Sequence, residues 1–404
     1  MSFFMNKATA KAKLVGVKAA ITVLPAPRPM VFAGEGSALQ LCQALAGFAH
    51  KKVLIVSDKI LKDLGVLQPL INKLNELGVQ VAIFDSVLPD PTESIANKCL
   101  QAYQQERCDA VLAVGGGSSI DVAKVAALAA TNSKTPKQLV GIFKGRKPSA
   151  ALYAIPTTAG TGSEVTAGAV ISDDQTHVKG LVIDTKVVPR MVALDSAIMS
   201  GMPAKVTAET GIDALTHALE AYISDFANSE SDVYANSAIK LILANLRTAY
   251  QQPKNLVARE AMAFASHYAG LAINQAGLGY VHAIAHQLGS HYGLAHGLSN
   301  AIVLPHIIDF SRPVIDKRLA ELARFCQLVP QESTTAIAAQ TFVNEIKILL
   351  RDVNIKTSVP NMKEQDFDAI MVAAFKEAHG TYAVPKYMHE EDCKEILFKI
   401  AQFV

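Results

Sequence analysis

The chain is poor in charge, in cysteine and in continuous apolar runs. Only 18% of its 404 residues are charged, and the net charge is +2. A balance so near neutrality, with no basic run interleaved with aromatics, excludes a general nucleic-acid surface. The five cysteines, at positions 42, 99, 108, 326 and 393, are odd in number, widely spaced and contain no C-x-x-C. They exclude a disulfide scaffold and a cysteine-based zinc site, and they fit a reducing cytoplasm. No apolar run is long enough to span a bilayer, so no membrane partner is expected. Acids are missing altogether from residues 1–28, which carry Lys7, Lys11, Lys13, Lys18 and Arg28. A transit peptide would be basic and acid-poor in this way, but Arg and Ser are scarce there. The segment reads instead as an N-terminal extension, a short helix or disordered, ended by "PAPRP" (25–29). Repeats and low-complexity tracts are absent as well.

What remains is a globular composition, half of it hydrophobic, with length for two or three domains. The first half alternates. "KKVLIVSD" (51–58), "VQVAIFD" (79–85), "DAVLAVGGG" (109–117) and "ALYAIPTT" (151–158) read as strands. "LGVLQPLINKLNELG" (64–78), "ESIANKCLQAYQQER" (93–107) and "SSIDVAKVAALAAT" (118–131) read as helices. Such alternation predicts a parallel sheet covered by helices. "AGAVISDDQTHVKGLVID" (167–184) reads as a hairpin. From about residue 198 the patterns become almost wholly helical.

Three features of the first half suit a dinucleotide. "VLAVGGGSSID" (111–121) is a strand, three glycines, two serines and a helix start. Glycines admit a phosphate to the backbone, and a helix N-terminus offers free N–H groups and a favourable dipole. A plain strand–helix turn would also use Gly, and the run matches neither G-x-G-x-x-G nor the Walker loop. Asp58 ends a strand where an acid can bond adenosine ribose hydroxyls and repel a 2′-phosphate, favouring NAD over NADP; it would equally serve as a helix N-cap. "PTTAGTGSE" (156–164) is a Thr/Gly-rich turn that could hold a pyrophosphate or a ribose, or be a simple loop.

The helical half concentrates polar pairs on apolar helices. "GIDALTHALEAY" (211–222) sets Asp213 and His217 four residues apart, hence on one face, with Glu220 near it. "VHAIAHQLG" (281–289) repeats the spacing with His282 and His286, and His296 follows in "GLAHG". A buried hydrogen-bonded pair explains either helix alone. Burying so many imidazoles with a carboxylate costs several kcal/mol unless they bind something, and a divalent cation suits that donor set. Zinc and ferrous iron are not separated by donor type.

Together "GGGSSID", "PTTAGTGSEVT", "GMPAKVTAETGIDALTHALEAY", "GLGYVHAIAHQLG" and "AHGLSNAIVLPH" resemble the iron-containing (group III) alcohol dehydrogenase family, in its order and spacing over about residues 29–404. The resemblance implies an α/β N-terminal dinucleotide-binding domain with a parallel, Rossmann-like sheet (29–197) and an all-α C-terminal metal-binding, catalytic domain (198–404). It implies metal ligands Asp213, His217, His282 and His296, holding Fe²⁺ with Zn²⁺ possible. It places Gly116, Gly117 and Ser118 at the NAD pyrophosphate and Asp58 at the adenosine ribose. Asp90, Thr157, Thr158 and Lys179 stand at further cofactor positions, and His286 stands at a proton-relay position near the nicotinamide. The expected reaction is metal-dependent hydride transfer between a small primary alcohol or aldehyde and NAD(H), by a cytoplasmic homodimer or larger homo-oligomer. A polyol dehydrogenase, a dehydroquinate-synthase-like lyase and a non-catalytic NAD or metal sensor are the rival readings. One departure stands out: "GTYAVPKYMHEEDC" (380–393) replaces the family's frequent Asn-Pro-Arg stretch.

Overall fold

Runs of Val, Ile, Leu and Ala four to six residues long are natural strands when both faces are buried, and the first unit is built on them. The computed structural model describes residues 27–402 except His177; the expectation for the N-terminal extension falls almost wholly outside the described residues. The strands are β1 (Met30–Ala33), β2 (Lys52–Val56), β3 (Gln80–Phe84), β4 (Ala110–Gly115), β5 (Gly141–Ile142), β6 (Ala151–Pro156), β7 (Gly168–Ser172), β8 (Lys179–Ile183) and β9 (Met191–Leu194). Six of them form one sheet in the order β1-β9-β6-β4-β2-β3, and every pairing is parallel. The hairpin over 167–184 is present as the antiparallel pair β7–β8, in a separate three-stranded sheet with β5. The short strands β1 and β9 carry no pattern that marked them in the sequence.

Period-two alternation divides each strand between two cores. Val53, Ile55, Leu112, Val114, Tyr153 and Ile155 face Leu41 and Leu45 of α1 (Ser37–Ala46) and Leu70 and Leu74 of α3 (Gln68–Glu76). Between them lies the short α2 (Lys59–Asp63). On the other face Leu54, Val56, Val111, Ala113, Leu152 and Ala154 meet Cys99 of α4 (Glu93–Gln105) and Ile120, Ala123 and Ala127 of α5 (Gly117–Asn132). Each large apolar side chain so buried contributes roughly 1.5–3 kcal/mol. The sheet thereby becomes a rigid platform, and the segments that carry site candidates leave it at the strand C-termini. Asp58 follows β2, the glycine run follows β4 and Thr157 follows β6.

The second unit comprises residues 203–252 and 268–402. Its helices are α6 (Ala204–Ile223), α7 (Ser229–Gln251), α9 (Tyr280–Tyr292), α10 (His296–Phe325), α11 (Thr335–Asp352), α12 (Phe367–Ala378) and α13 (Glu390–Ile400). Between α7 and α9 runs α8 (Leu256–Ala276), whose residues up to His267 belong with the first unit. Buried Arg259 accounts for part of that membership, since its guanidinium donates to the carbonyls of Met202 and Pro253, each at 2.9 Å. Among the described residues of this unit, strand pairing is confined to a two-residue parallel match of Val359–Pro360 with Ala401–Gln402.

Within the second unit the divergent 380–393 stretch is held by a buried histidine. The Tyr280 hydroxyl accepts from the Met388 N–H at 3.0 Å, which leaves its proton for His379 Nε2 at 2.9 Å. His379 Nδ1 then donates to the Tyr387 hydroxyl at 3.0 Å. Burial, with a smaller push from His389, brings His379 down to about 4. The unfolded state therefore takes up a proton here that the folded state refuses between about pH 6.5 and 4, and stability falls as pH drops through that window. Melting curves of His379→Gln and the unmodified protein should converge toward pH 4, with the variant showing the flatter acid limb; parallel limbs would remove His379 from the account.

Candidate metal centre and cofactor loop

In the second unit the two i, i+4 pairs arrive at one place. Asp213 and His217 lie on α6, His282 on α9, and His296 is the first residue of α10. One ligand atom from each lies within 4.8 Å of the other three, and Asp213, His217 and His282 are buried. Asp213 Oδ1 is 3.7 Å from His282 Nε2 and 3.4 Å from His296 Nε2. Bond lengths near 2.1 Å in a tetrahedron give ligand separations of about 3.4 Å, so the spacing fits a divalent ion. His217 and His282 stack with centroids 4.5 Å apart.

Electrostatics favour positive charge at the focus. Desolvation opposes ionisation of Asp213, but His217 and His296, with the adjoining ring of His282, hold its carboxyl well below the usual range. Burial also disfavours a charged His282, yet Glu220 and Asp213 outweigh it and lift that imidazole to about 9. Asn300, four residues after His296, brings its Nδ2 to 2.7 Å from Asp213 Oδ1, 3.1 Å from His282 Nε2 and 3.3 Å from His296 Nε2. An amide has two protons for those three acceptors, and the buried Asn300 Oδ1 and His296 Nδ1 find no partner. A cation satisfies such a donor set where one amide does not.

The backbone makes this convergence possible at two glycines. A Cβ on Gly297 would run into the backbone carbonyl of Glu209, whose carbon lies 2.7 Å away. Only glycine lets α10 start so close to α6. A Cβ on Gly279 would lie 2.7 Å from Glu220 Oε1. Glu220 accepts from Gly279 N (2.9 Å), Val281 N (2.7 Å) and His282 Nδ1 (2.6 Å), so one carboxylate caps α9 and orients its histidine. With Nδ1 donating to Glu220, Nε2 keeps its lone pair for a metal.

His286 lies outside the four-residue cluster. Its Nδ1 is 2.7 Å from Glu377 Oε1, and its ring stacks on His296 at 5.2 Å. His291 sits exposed in the last turn of α9, with Nδ1 3.0 Å from the Gln287 carbonyl.

In the first unit, Gly116 is the N-cap of α5, and no side chain caps that end. A Cβ on Gly117 would lie 2.7 Å from Thr161 Cγ2, while one on Gly116 would touch Thr158 at 3.4 Å. The glycine run and the 157–161 turn are therefore packed together, and Thr157 N donates to the Gly115 carbonyl at 3.0 Å. Ser118 lies in the first turn of α5. The turn is fixed from below. Asp121 accepts from Ser163 Oγ (2.5 Å) and Val170 N (2.8 Å), and buried Lys124 donates to the carbonyls of Thr166 and Gly168, each at 2.7 Å. Glu164 and His267, both buried, meet at 3.1 Å. Asp58 caps α2 through Oδ1, which accepts from Leu61 N at 2.9 Å. Asp90, at φ 48°, is paired with Lys179 at 3.0 Å. Two residues singled out separately in the sequence thus form one ion pair.

Sequence reasoning missed Asn300, Glu377 and Tyr382. The i, i+4 rule applied to His296 would have found Asn300. Glu377 and Tyr382 lie in no motif, and only the folded chain brings them to His286.

A parallel dinucleotide-type sheet with a glycine-run helix start, together with a buried Asp/His₃ cluster, defines a class: metal-dependent, nicotinamide-linked oxidoreductases. Family models agree. Residues 27–196 match that of iron-containing alcohol dehydrogenase, and residues 207–401 match the C-terminal model of the Fe-containing alcohol dehydrogenase family. The chain is 38% identical over 359 residues to the 1,3-propanediol dehydrogenase of Citrobacter freundii, covering 88% of this chain and 92% of that protein. It is 36% identical over 371 residues to the NAD-dependent methanol dehydrogenase of Bacillus methanolicus, covering 91% and 97%. The crystal structure of a 1,3-propanediol oxidoreductase superposes with a TM-score of 0.88 at 36% identity, covering 93% of this chain and 99% of the other. The chain belongs to the iron-containing alcohol dehydrogenase family. It is an NAD-dependent oxidoreductase of the iron type, acting between a small alcohol and its aldehyde with a divalent metal. The lyase and sensor readings are set aside.

Because Glu220 presents His282 to the cluster, Glu220→Gln should weaken metal retention roughly 10- to 100-fold. Competition with a chromogenic chelator measures it; unchanged affinity would reduce Glu220 to a helix cap.

Proposed function

We propose that Asp213, His217, His282 and His296 hold the catalytic ion, Fe²⁺ in the first place with Zn²⁺ suited to the same donors, and that the helical region 198–404 is the metal-binding, catalytic part. The observation that carries this reading is the convergence of four donor atoms within 4.8 Å, three of the four residues being buried. Bound there, the ion supplies Lewis acidity toward an alcohol or aldehyde oxygen, favouring the deprotonated alcohol. The chain's own residues supply the rest. Glu220 fixes the tautomer of His282, and Asp213 neutralises part of the charge. His286 carries the alcohol proton away, a task suited to an imidazole.

The region 29–197 binds NAD in this reading. Gly116, Gly117 and Ser118 receive the pyrophosphate at the uncapped start of α5. Thr157 and Thr158, packed on that glycine run, contact the cofactor, as do Lys179 and Asp90. Asp58 takes the adenosine ribose while capping α2, and its charge disfavours NADP. The Ala- and Leu-rich composition of α6 around its two ligands suits a small uncharged primary alcohol. The propanediol-type relatives make a short diol the alternative substrate.

The enzyme works in the cytoplasm as a homodimer or larger homo-oligomer. Its five cysteines are free thiols, and among the described residues no helix is long and apolar enough to cross a membrane. Support for self-association is the sheet edge at β1, where Met30 and Val31 are exposed.

Protein reconstituted separately with Fe²⁺ and Zn²⁺ is assayed against short alcohols and diols with NAD and NADP. NADH formation from a small primary alcohol is expected, and His282→Ala should lose both metal and turnover while keeping its NAD affinity. Full turnover by metal-depleted His282→Ala protein would refute the metal assignment.

A further inference from the structure

The two histidines of α9 are built alike. His282 and His286 stand one turn apart, and each directs Nδ1 at a carboxylate: Glu220 of α6 at 2.6 Å and Glu377 of α12 at 2.7 Å. An ionised carboxylate only accepts, so in each neutral ring Nδ1 carries the proton and Nε2 is left bare. For His282 the purpose is evident, since Nε2 belongs to the metal cluster. His286 has the same support without belonging to that cluster.

A helix-to-helix tie would need no more than one contact, but Glu377 is itself held on both oxygens. Oε1 also accepts the Tyr382 hydroxyl at 2.7 Å, and Oε2 faces Gln287 Nε2 at 3.3 Å. Tyr382 is buried, at 7% exposure, and its single proton is committed to Glu377. Burial opposes the charge on Glu377, yet His286 and Tyr382 keep it below its ordinary value. Tyr382 also belongs to the 380–393 stretch, where this chain departs from the family pattern. The divergent segment therefore contributes a side chain to the shell around His286.

We propose that Glu377, held by Tyr382, is a positioning residue for His286: it fixes the ring and places the proton on Nδ1, so that the unprotonated Nε2 is the nitrogen offered to the alcohol proton. The proposal rests on the proton-carrying role given to His286 above, and two separate readouts keep the two ideas apart.

The first readout is the ¹⁵N spectrum of histidine-labelled, metal-loaded holoenzyme, with the His286 signals assigned by their loss in His286→Ala. The unmodified enzyme should show His286 in the Nδ1–H form. Glu377→Ala should move it largely to Nε2–H, Glu377→Asp should restore part of the Nδ1–H population, and the milder Tyr382→Phe should give an intermediate shift. The second readout is turnover. Glu377→Ala should lower kcat roughly 10- to 100-fold, with KM for the alcohol, NAD affinity and metal content within about twofold of the unmodified values. His286→Ala/Glu377→Ala should be no slower than His286→Ala alone. An unchanged tautomer in both Glu377→Ala and Tyr382→Phe, or additive losses in the double variant, would overturn the proposal. A tautomer that shifts as expected while His286→Ala keeps full kcat would uphold the positioning and refute only the proton-carrying role.

Discussion

Four electronegative groups cannot share a buried volume without a positive charge among them, and this constraint organises the second unit. Asp213 and three imidazoles meet where water is largely excluded. The proposed ion would relieve that crowding. Much of the surrounding architecture serves the meeting. Gly297 allows α10 to begin against the backbone of α6, Gly279 allows Glu220 to reach the start of α9, and Glu220 turns His282 toward the focus. A Cβ at Gly297 would meet the backbone of α6, and one at Gly279 would displace the Glu220 carboxylate from its three donors.

The first unit solves a different problem with the opposite material. Its parallel sheet is buried on both faces, so its strands are nearly continuous apolar runs and its chemistry is confined to the strand C-termini. There the glycine run leaves the start of α5 without a side-chain cap, and Asp121 and buried Lys124 fix the neighbouring turn. An apolar platform carrying a polar rim would suit the proposed dinucleotide without burying unpaired charge. The charge-poor chain gathers four of its buried ionisable groups, Asp213, His217, Glu220 and His282, around one point.

Much of this was legible in the residues. Periodicity of two against 3.6 separated the two architectures, and the hairpin over 167–184 was marked by "SDDQ" between two strand-like runs. The i, i+4 spacing found both polar pairs because a helix converts that spacing into one face. What stayed hidden depends on tertiary contact. The strands β1 and β9 are four residues each and take their identity from pairing with one another. The 253–267 segment joins the first unit through contacts such as those of Arg259, which no local pattern announces. Glu377 and Tyr382 have no spacing relation to His286 and become its partners only when α12 packs on α9. Asp58 carried two readings in the sequence; the helix cap is the one its hydrogen bond displays.

The central claim is that Asp213, His217, His282 and His296 coordinate a single divalent ion. X-ray absorption of protein loaded with one equivalent of Zn²⁺ tests it most directly, because the zinc edge reports donor type and distance without requiring turnover. The account predicts an oxygen–nitrogen shell at about 2.0–2.2 Å with multiple-scattering features of three imidazoles, a signature lost in His282→Ala. A sulfur shell, an all-oxygen shell without imidazole scattering, or a spectrum indifferent to loss of His282 would contradict it.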